Sequence, residues 1–172
     1  MLAKLSQLSL GVEGQIFARA RIIRSAASRY SKELDMAKKT LNPDGMPIPR
    51  GSYSQVVIPK PGRLVFIAGN TASDLEGKIV GLGDIRTQAR YTLEKIKRGV
   101  EAAGGTLQDI VSMTVFTTDA RYHPTVNEVR REFLGADFPT STMVQVVALA
   151  RPELLIEINA IAVVPESALK DD

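Results

Sequence analysis

An α+β fold is predicted, with a mixed sheet of five or six strands and two helices on one face. Two observations carry this prediction. Segments whose apolar residues alternate with period two are interleaved with two segments of helical period, in the order β-β-α-β-α-β-β. The longest apolar stretch, Phe138 to Val164, resolves into two strands of which only one face is uniformly apolar. At 172 residues with no cysteine, the chain is long enough for one buried core and has no disulfide to substitute for it.

The first segment stands apart in charge. Residues 1–39 hold eight Lys/Arg against three Asp/Glu, which leaves residues 40–172 slightly acidic. The expected division is therefore a basic N-terminal extension, 1–39, and a folded domain, 40–172. Within the extension, Met1–Ser31 carries Arg19, Arg21, Arg24, Arg29 and five serines against one acid, Glu13. That composition suits a mitochondrial transit peptide, and a non-functional extension is the plainer reading. A cytoplasmic location is expected, with a mitochondrial one as the alternative. A basic tail on a nearly neutral domain is a poor nucleic-acid surface.

The domain then reads in order. Leu41–Gly51, with three prolines and two glycines, is a loop. Tyr53–Ile58 and Arg63–Ala68 read as strands joined by the Pro59–Gly62 turn into a hairpin. Asp84–Ala103 is the clearest helix: Ile85, Ala89, Leu93, Ile96 and Val100 repeat at steps of three and four, Asp84 caps the start and Gly104-Gly105 closes the end. Ile110–Thr117 is a strand of β-formers, and Pro124–Leu134 is a second helix with Val126, Val129 and Phe133 inward. Ser141–Leu149 and Leu154–Val163 are the closing strands, separated by Arg151-Pro152.

In the last strand Ile156, Ile158, Ala160 and Ala162 want a helix cover, whereas Glu157 and Asn159 point the other way. Ser141 and Gln145 are expected on that same uncovered face. Its mixed character leaves more apolar area in water than a lone domain exposes, so a homo-oligomer is predicted. A carboxylate at the middle of such a strand is paired, hydrated or functional, because burying it bare costs several kcal/mol.

Several chemistries are excluded by inventory. The single His123 and the lack of cysteine remove the common metal-ligand and Ser-His-Asp patterns. Gly81–Gly83 lacks the spacing of a phosphate loop. No apolar run reaches the ~18 residues that cross a bilayer. What remains is a set of polar residues near strand ends: Tyr53, Asn70, Asn127, Ser141, Thr142 and Glu157. Taken singly, each reads more simply as a turn, cap or paired structural residue.

Taken together, GSYSQ (51–55), FIAGNTASD (66–74), VEAAGGTLQDIV (100–111), TVFTTD (114–119), TVNEVRREFL (125–134) and EINAIAVVP (157–165) resemble the RidA family of reactive-intermediate deaminases, also called YjgF-like or L-PSP proteins. The resemblance spans about residues 40–165. It implies a chorismate-mutase-like fold assembled as a homotrimer, with small-molecule clefts between subunits and no cofactor or metal. It places Tyr53, Gly69, Asn70, Asn127 and Met143 on the substrate, with Glu157, Ser141 and Thr142 in the catalytic set. The implied reaction is hydrolysis of enamines and imines to a carbonyl compound and ammonia.

One position departs from that pattern. Deaminase members carry an arginine two residues after the Phe-Pro pair, and this chain has FPTST, with Ser141 there. A neutral hydroxyl cannot grip a carboxylate bidentately. The expected consequence is weaker binding of amino-acid-derived imines or a changed substrate. Arg50 and Arg151 are the candidate replacements. A non-catalytic metabolite-binding trimer and a ribonuclease or translation inhibitor are the alternative functions.

Overall fold

A computed structural model describes residues 37–168. The transit-peptide reading of residues 1–31 lies outside the described residues. The compact unit that carries the fold begins at Ala37, so the boundary expected at residue 40 falls inside a strand, β1 (Lys38–Leu41). Seven elements follow: β2 (Val56–Pro59), β3 (Arg63–Thr71), α1 (Ile85–Ala102), β4 (Ile110–Thr117), α2 (His123–Leu134), β5 (Thr140–Gln145) and β6 (Ile156–Val164). The fold is α+β with two helices and a mixed sheet, as the patterning predicts.

The strands divide differently from the expectation of one sheet of five or six. β3-β6-β4-β5 form a four-stranded sheet and β1-β2 a separate antiparallel pair. The expected β2-β3 hairpin is absent from both. Pro59 and Pro61 bracket the turn, and neither has a backbone donor with which to continue a ladder. β2 instead pairs with β1, and β3 joins β6 from Arg63↔Val164 to Thr71↔Glu157. Gly62 is needed at this junction, because a Cβ there would collide with the Val164 carbonyl.

β4 and β5 are parallel, with α2 as their crossover. β6 is antiparallel to both neighbours, β3 and β4. The core lies between this sheet and the helices. Leu93, Ile96 and Val100 of α1 meet Ile156, Ile158, Ala162 and Val164 of β6, all fully buried. Removing one such leucine side chain from water contributes roughly 2 kcal/mol. Asp84 accepts a hydrogen bond from the Arg86 amide at 2.9 Å, satisfying one of the orphan donors at the start of α1. Gly104, at φ 85°, supplies the left-handed turn that stops the helix.

The unit is also stitched by buried polar groups. Lys38 Nζ donates to the Gln108 and Ile110 carbonyls, each at 2.8 Å, fastening β1 to the start of β4. Gln88, fully buried, donates to the Gly81 and Glu153 carbonyls and accepts from the Leu155 amide. One side chain thus fixes the loop before α1 and the turn before β6.

Candidate functional site

The sheet register assigns each candidate to a face. Met113 pairs with Ser141 and Val115 with Met143 across the parallel ladder. Met113 and Val115 are buried in the core, so Ser141 and Met143 point toward the helices. Phe116 pairs with Glu157 and Thr114 with Asn159, placing Glu157 on the opposite, open face with Thr142 and Val144. Ser141 and Gln145 therefore do not share a face with Glu157, contrary to the sequence expectation. Alternation fixes which residues lie opposite one another, but only the partner strand decides which set turns inward.

The open-face group centres on Glu157. A register shift in β3 between Ile67 and Asn70 brings Gly69 against the carboxylate. A Cβ at Gly69 would strike Glu157 Oε1 and lie 3.0 Å from Cδ. Glycine is the residue that allows this approach, and the bulge is the device that aims it. Glu157 is half-buried and makes no hydrogen bond or ion pair with the described residues. It lines an open groove of 320 Å³ with Phe116, Val146, Ala148, Leu149 and Ala150. β5 ends at Gln145, shorter than the expected Ser141–Leu149. The chain that follows turns over the sheet edge as one wall of this groove.

Thr142 shares the open face but lies two strands from Glu157, roughly 10 Å at normal strand spacing. Asn70 is spent locally, donating from Nδ2 to the Ala68 carbonyl at 2.9 Å. Arg151 is committed to Glu153 at 3.5 Å and to the Gly77 carbonyl at 2.6 Å, so it neither pairs with Glu157 nor is free to replace the missing arginine. The Arg50 carbonyl accepts from Arg131 Nη2 at 3.1 Å, and Arg50 itself is exposed.

The helix-side group is organised by Asn127. Its Oδ1 accepts from Ser52 Oγ at 2.6 Å and from the Ser52 amide at 3.3 Å, while Nδ2 lies 3.0 Å from His123 Nε2. Asn127 is 6% exposed and Ser52 wholly buried. Gly51 sits between Tyr53 and Asn127, close enough that an added Cβ would touch both. Ser54 then donates to the Pro139 and Phe138 carbonyls from its amide and hydroxyl, at 2.9 and 2.7 Å. The segment 50–54 is thus a strap from α2 to the start of β5. It brings Tyr53 and Asn127 together near the strand that carries Ser141 and Met143.

Buried polar atoms without partners mark Ser141, already a sequence candidate, and Arg130, which the motif reading passed over. Ser141 Oγ is buried with no hydrogen-bond partner, and so are Nε and Nη2 of Arg130. Arg130 is 2% exposed, and burial pushes its guanidinium pKa down to about 10. Its sequence signal was slight: a basic residue three positions after Asn127, hence on the same helix face.

Among the described residues no group of three or more His, Cys, Asp and Glu is placed to hold a metal ion. No helix there is long and apolar enough to cross a membrane.

Comparison with known proteins matches the geometry. The family model described as Endoribonuclease L-PSP fits residues 45–164. A RutC family protein of Pyrococcus abyssi is 37% identical over 127 residues, covering 74% of this chain and 98% of that protein. Among solved structures, the Rid family protein YyfB of Yersinia pestis, of unknown function, aligns with a TM-score of 0.69 at 30% identity, over 75% of this chain and all of that one. TdcF of E. coli, solved with bound serine, aligns with a TM-score of 0.55 at 38% identity, over 73% of this chain and 98% of that one. With the order of its motifs, its mixed sheet under two helices and these matches in agreement, the chain belongs to the RidA family, also known as YjgF or L-PSP.

Proposed function

We propose that this protein is a cofactor-independent hydrolase of small imines and enamines, working in clefts formed between copies of the chain. The observation that carries the reading is Glu157: an unpaired carboxylate, laid against Gly69, at the head of an apolar groove. Its 320 Å³ volume suits a small metabolite. TdcF, a relative of nearly full overlap, holds serine, which is a ligand of that size.

The chemistry follows from a base beside a low-dielectric groove. Glu157 orients a water and takes one of its protons as the oxygen bonds to the C=N carbon. The nitrogen gains that proton and the carbinolamine collapses, forming C=O and releasing ammonia. An enamine first takes a proton on carbon to become the imine. Backbone near Gly69 is available to hold the reacting nitrogen or oxygen.

A single chain does not gather the whole set, since the helix-side residues Tyr53, Asn127, Ser141 and Met143 lie across the sheet from Glu157. A second copy supplies that half of the cleft. A homotrimer is the assembly the family resemblance implies, and the exposed Leu64 and Phe66 give it an apolar face to bury. Thr142, on the same open face, is assigned a hydrogen bond to substrate in a cleft completed by a second copy.

The test is to generate short-lived imines with an amino-acid oxidase or dehydratase and follow release of the keto acid. Added protein should accelerate release, and Glu157→Gln should remove roughly a hundredfold or more of that acceleration. An unchanged rate in the glutamine variant would refute the role given to Glu157. No acceleration with any amino acid tried would favour the binding-only alternative, for which the neutral Ser141 is the supporting observation.

A further inference from the structure

Asn127 Nδ2 lies within reach of both ring nitrogens of His123, 3.0 Å from Nε2 and 3.2 Å from Nδ1. The orientation of that amide is fixed from its other end. The Ser52 backbone N–H can only donate, and it meets Oδ1 at 3.3 Å, with the Ser52 hydroxyl on the same oxygen at 2.6 Å. Turning the amide over would set its NH2 against the Ser52 N–H, so the nitrogen faces His123. In either neutral tautomer one ring nitrogen keeps a lone pair to which that NH2 donates. In the imidazolium both nitrogens carry hydrogens, and the contact becomes donor against donor.

The two partners differ in exposure. His123 is exposed at the start of α2, whereas Asn127 is 6% exposed and Ser52 wholly buried. A proton therefore reaches the ring directly from water, and the cost falls on a buried amide that has lost its acceptor. The strap carries the effect onward. A Cβ added at Gly51 would lie 3.3 Å from the Tyr53 ring and 3.5 Å from both polar atoms of the Asn127 amide, so the three residues cannot move independently. The charged groups on the surrounding elements are Arg130 and Arg131 on α2, Arg50 on the strap, Asp119 and Arg121 in the turn before α2, and Arg86 and Glu128 between the helices, with none on β5. Tyr53 and Tyr122 are the phenols. Arg121 holds Asp119 and Arg86 holds Glu128, so neither carboxylate pairs with His123.

We propose that His123 is a positioning residue of the cleft: its neutral ring fixes Asn127 and, through Ser52, the strap that carries Tyr53, and its protonation loosens them. Imidazole is the side chain whose charge changes near neutrality, so this wall of the cleft is set by pH. The consequence for the cleft rests on the function proposed above.

The test is NMR of the full chain between about pH 8 and about pH 5. His123 is the sole histidine, so its ring signals report its charge without overlap. Across their midpoint the protection factor of the Ser52 amide against hydrogen exchange should fall roughly three- to tenfold. The Asn127 side-chain and Tyr53 ring signals should shift with the same midpoint. His123→Phe and His123→Gln cannot take up the proton, and the step should vanish in both. A Ser52 amide that does not follow the His123 titration, or a step that persists in either variant, overturns the proposal. None of these signals needs turnover, so an absence of hydrolysis counts against the role of Glu157 alone.

Discussion

The two faces of the four-stranded sheet are built from the same strands and answer to opposite demands. On β6, Ile156, Ile158, Ala160, Ala162 and Val164 are buried beneath the helices, while Glu157, Asn159, Ile161 and Val163 between them are only half-covered. On β3, Leu64 and Phe66 are 62% and 73% exposed, although both are large and apolar. The covered face is closely packed and tied by polar groups such as Gln88, with Ser141 and Arg130 left as buried exceptions. The open face keeps apolar area, an unpaired carboxylate and a groove. A monomer has no use for that combination, and a second copy or a ligand does.

The difference is open to several experiments. The largest effect is expected on the open face: replacing Leu64 and Phe66 together by Asp should reduce the proposed assembly to monomers by analytical ultracentrifugation and abolish the proposed hydrolysis, while far-UV circular dichroism keeps its helical signal. If assembly persisted, the open face would not be the contact surface. On the covered face, Leu93→Ala should cost about 4 kcal/mol in denaturant unfolding, because Leu93 is fully enclosed between α1 and β6. Assembly should survive that change wherever the chain remains folded.

Lys38 gives a pH-dependent contrast. Burial lowers its pKa from the usual 10.5 to about 8, against the opposing pull of Asp137 and Asp109. Between these two values the unfolded chain binds the proton that the folded chain has lost, so stability rises with pH across that window. Below about 8 the lysine is charged in both states and the penalty is fully present. The rise should be roughly 2–3 kcal/mol, and Lys38→Met should flatten it. A parent profile with no rise from pH 8 to 10 would show that the amine is better solvated than its burial implies.

The smallest effect is expected outside both faces. Arg86 and Glu128 join α1 to α2 on the surface and both are substantially exposed. Glu128→Gln should leave the thermal midpoint unchanged within error, and a clear drop would mean that the pairs of Arg86 and Arg90 with Glu128 and Glu132 act as a network.

Much of the fold was legible in the sequence because it rests on local signals. The 3.6-residue spacing of Ile85, Ala89, Leu93, Ile96 and Val100, with Asp84 before and Gly104 after, is enough to define α1. Two prolines in the Pro59–Gly62 turn were read as turn formers, and their missing donors were the reason that β2 and β3 do not form a hairpin. At the site, Gly69 and Glu157 were each visible as singular residues, but their contact depends on a bulge that no pattern in β3 announces. Tyr53 and Asn127 come together only through the strap. Nothing in the helix pattern sets Arg130 apart from the adjacent Arg131.

The sequence by itself determined the two helices, the strands from β2 onward and their order, the two-sidedness of β6 and the family, because propensity, periodicity and ordered motifs act over a few residues at a time; β1 (Lys38–Leu41) escaped it. Tertiary structure alone decided strand partners, which face of β5 turned inward, and hence that Ser141 joined the helix side while Glu157 remained outside. A strand's alternation is symmetrical between its two faces. It is the parallel register with β4, set by burial of Met113 and Val115 against the helices, that breaks the symmetry.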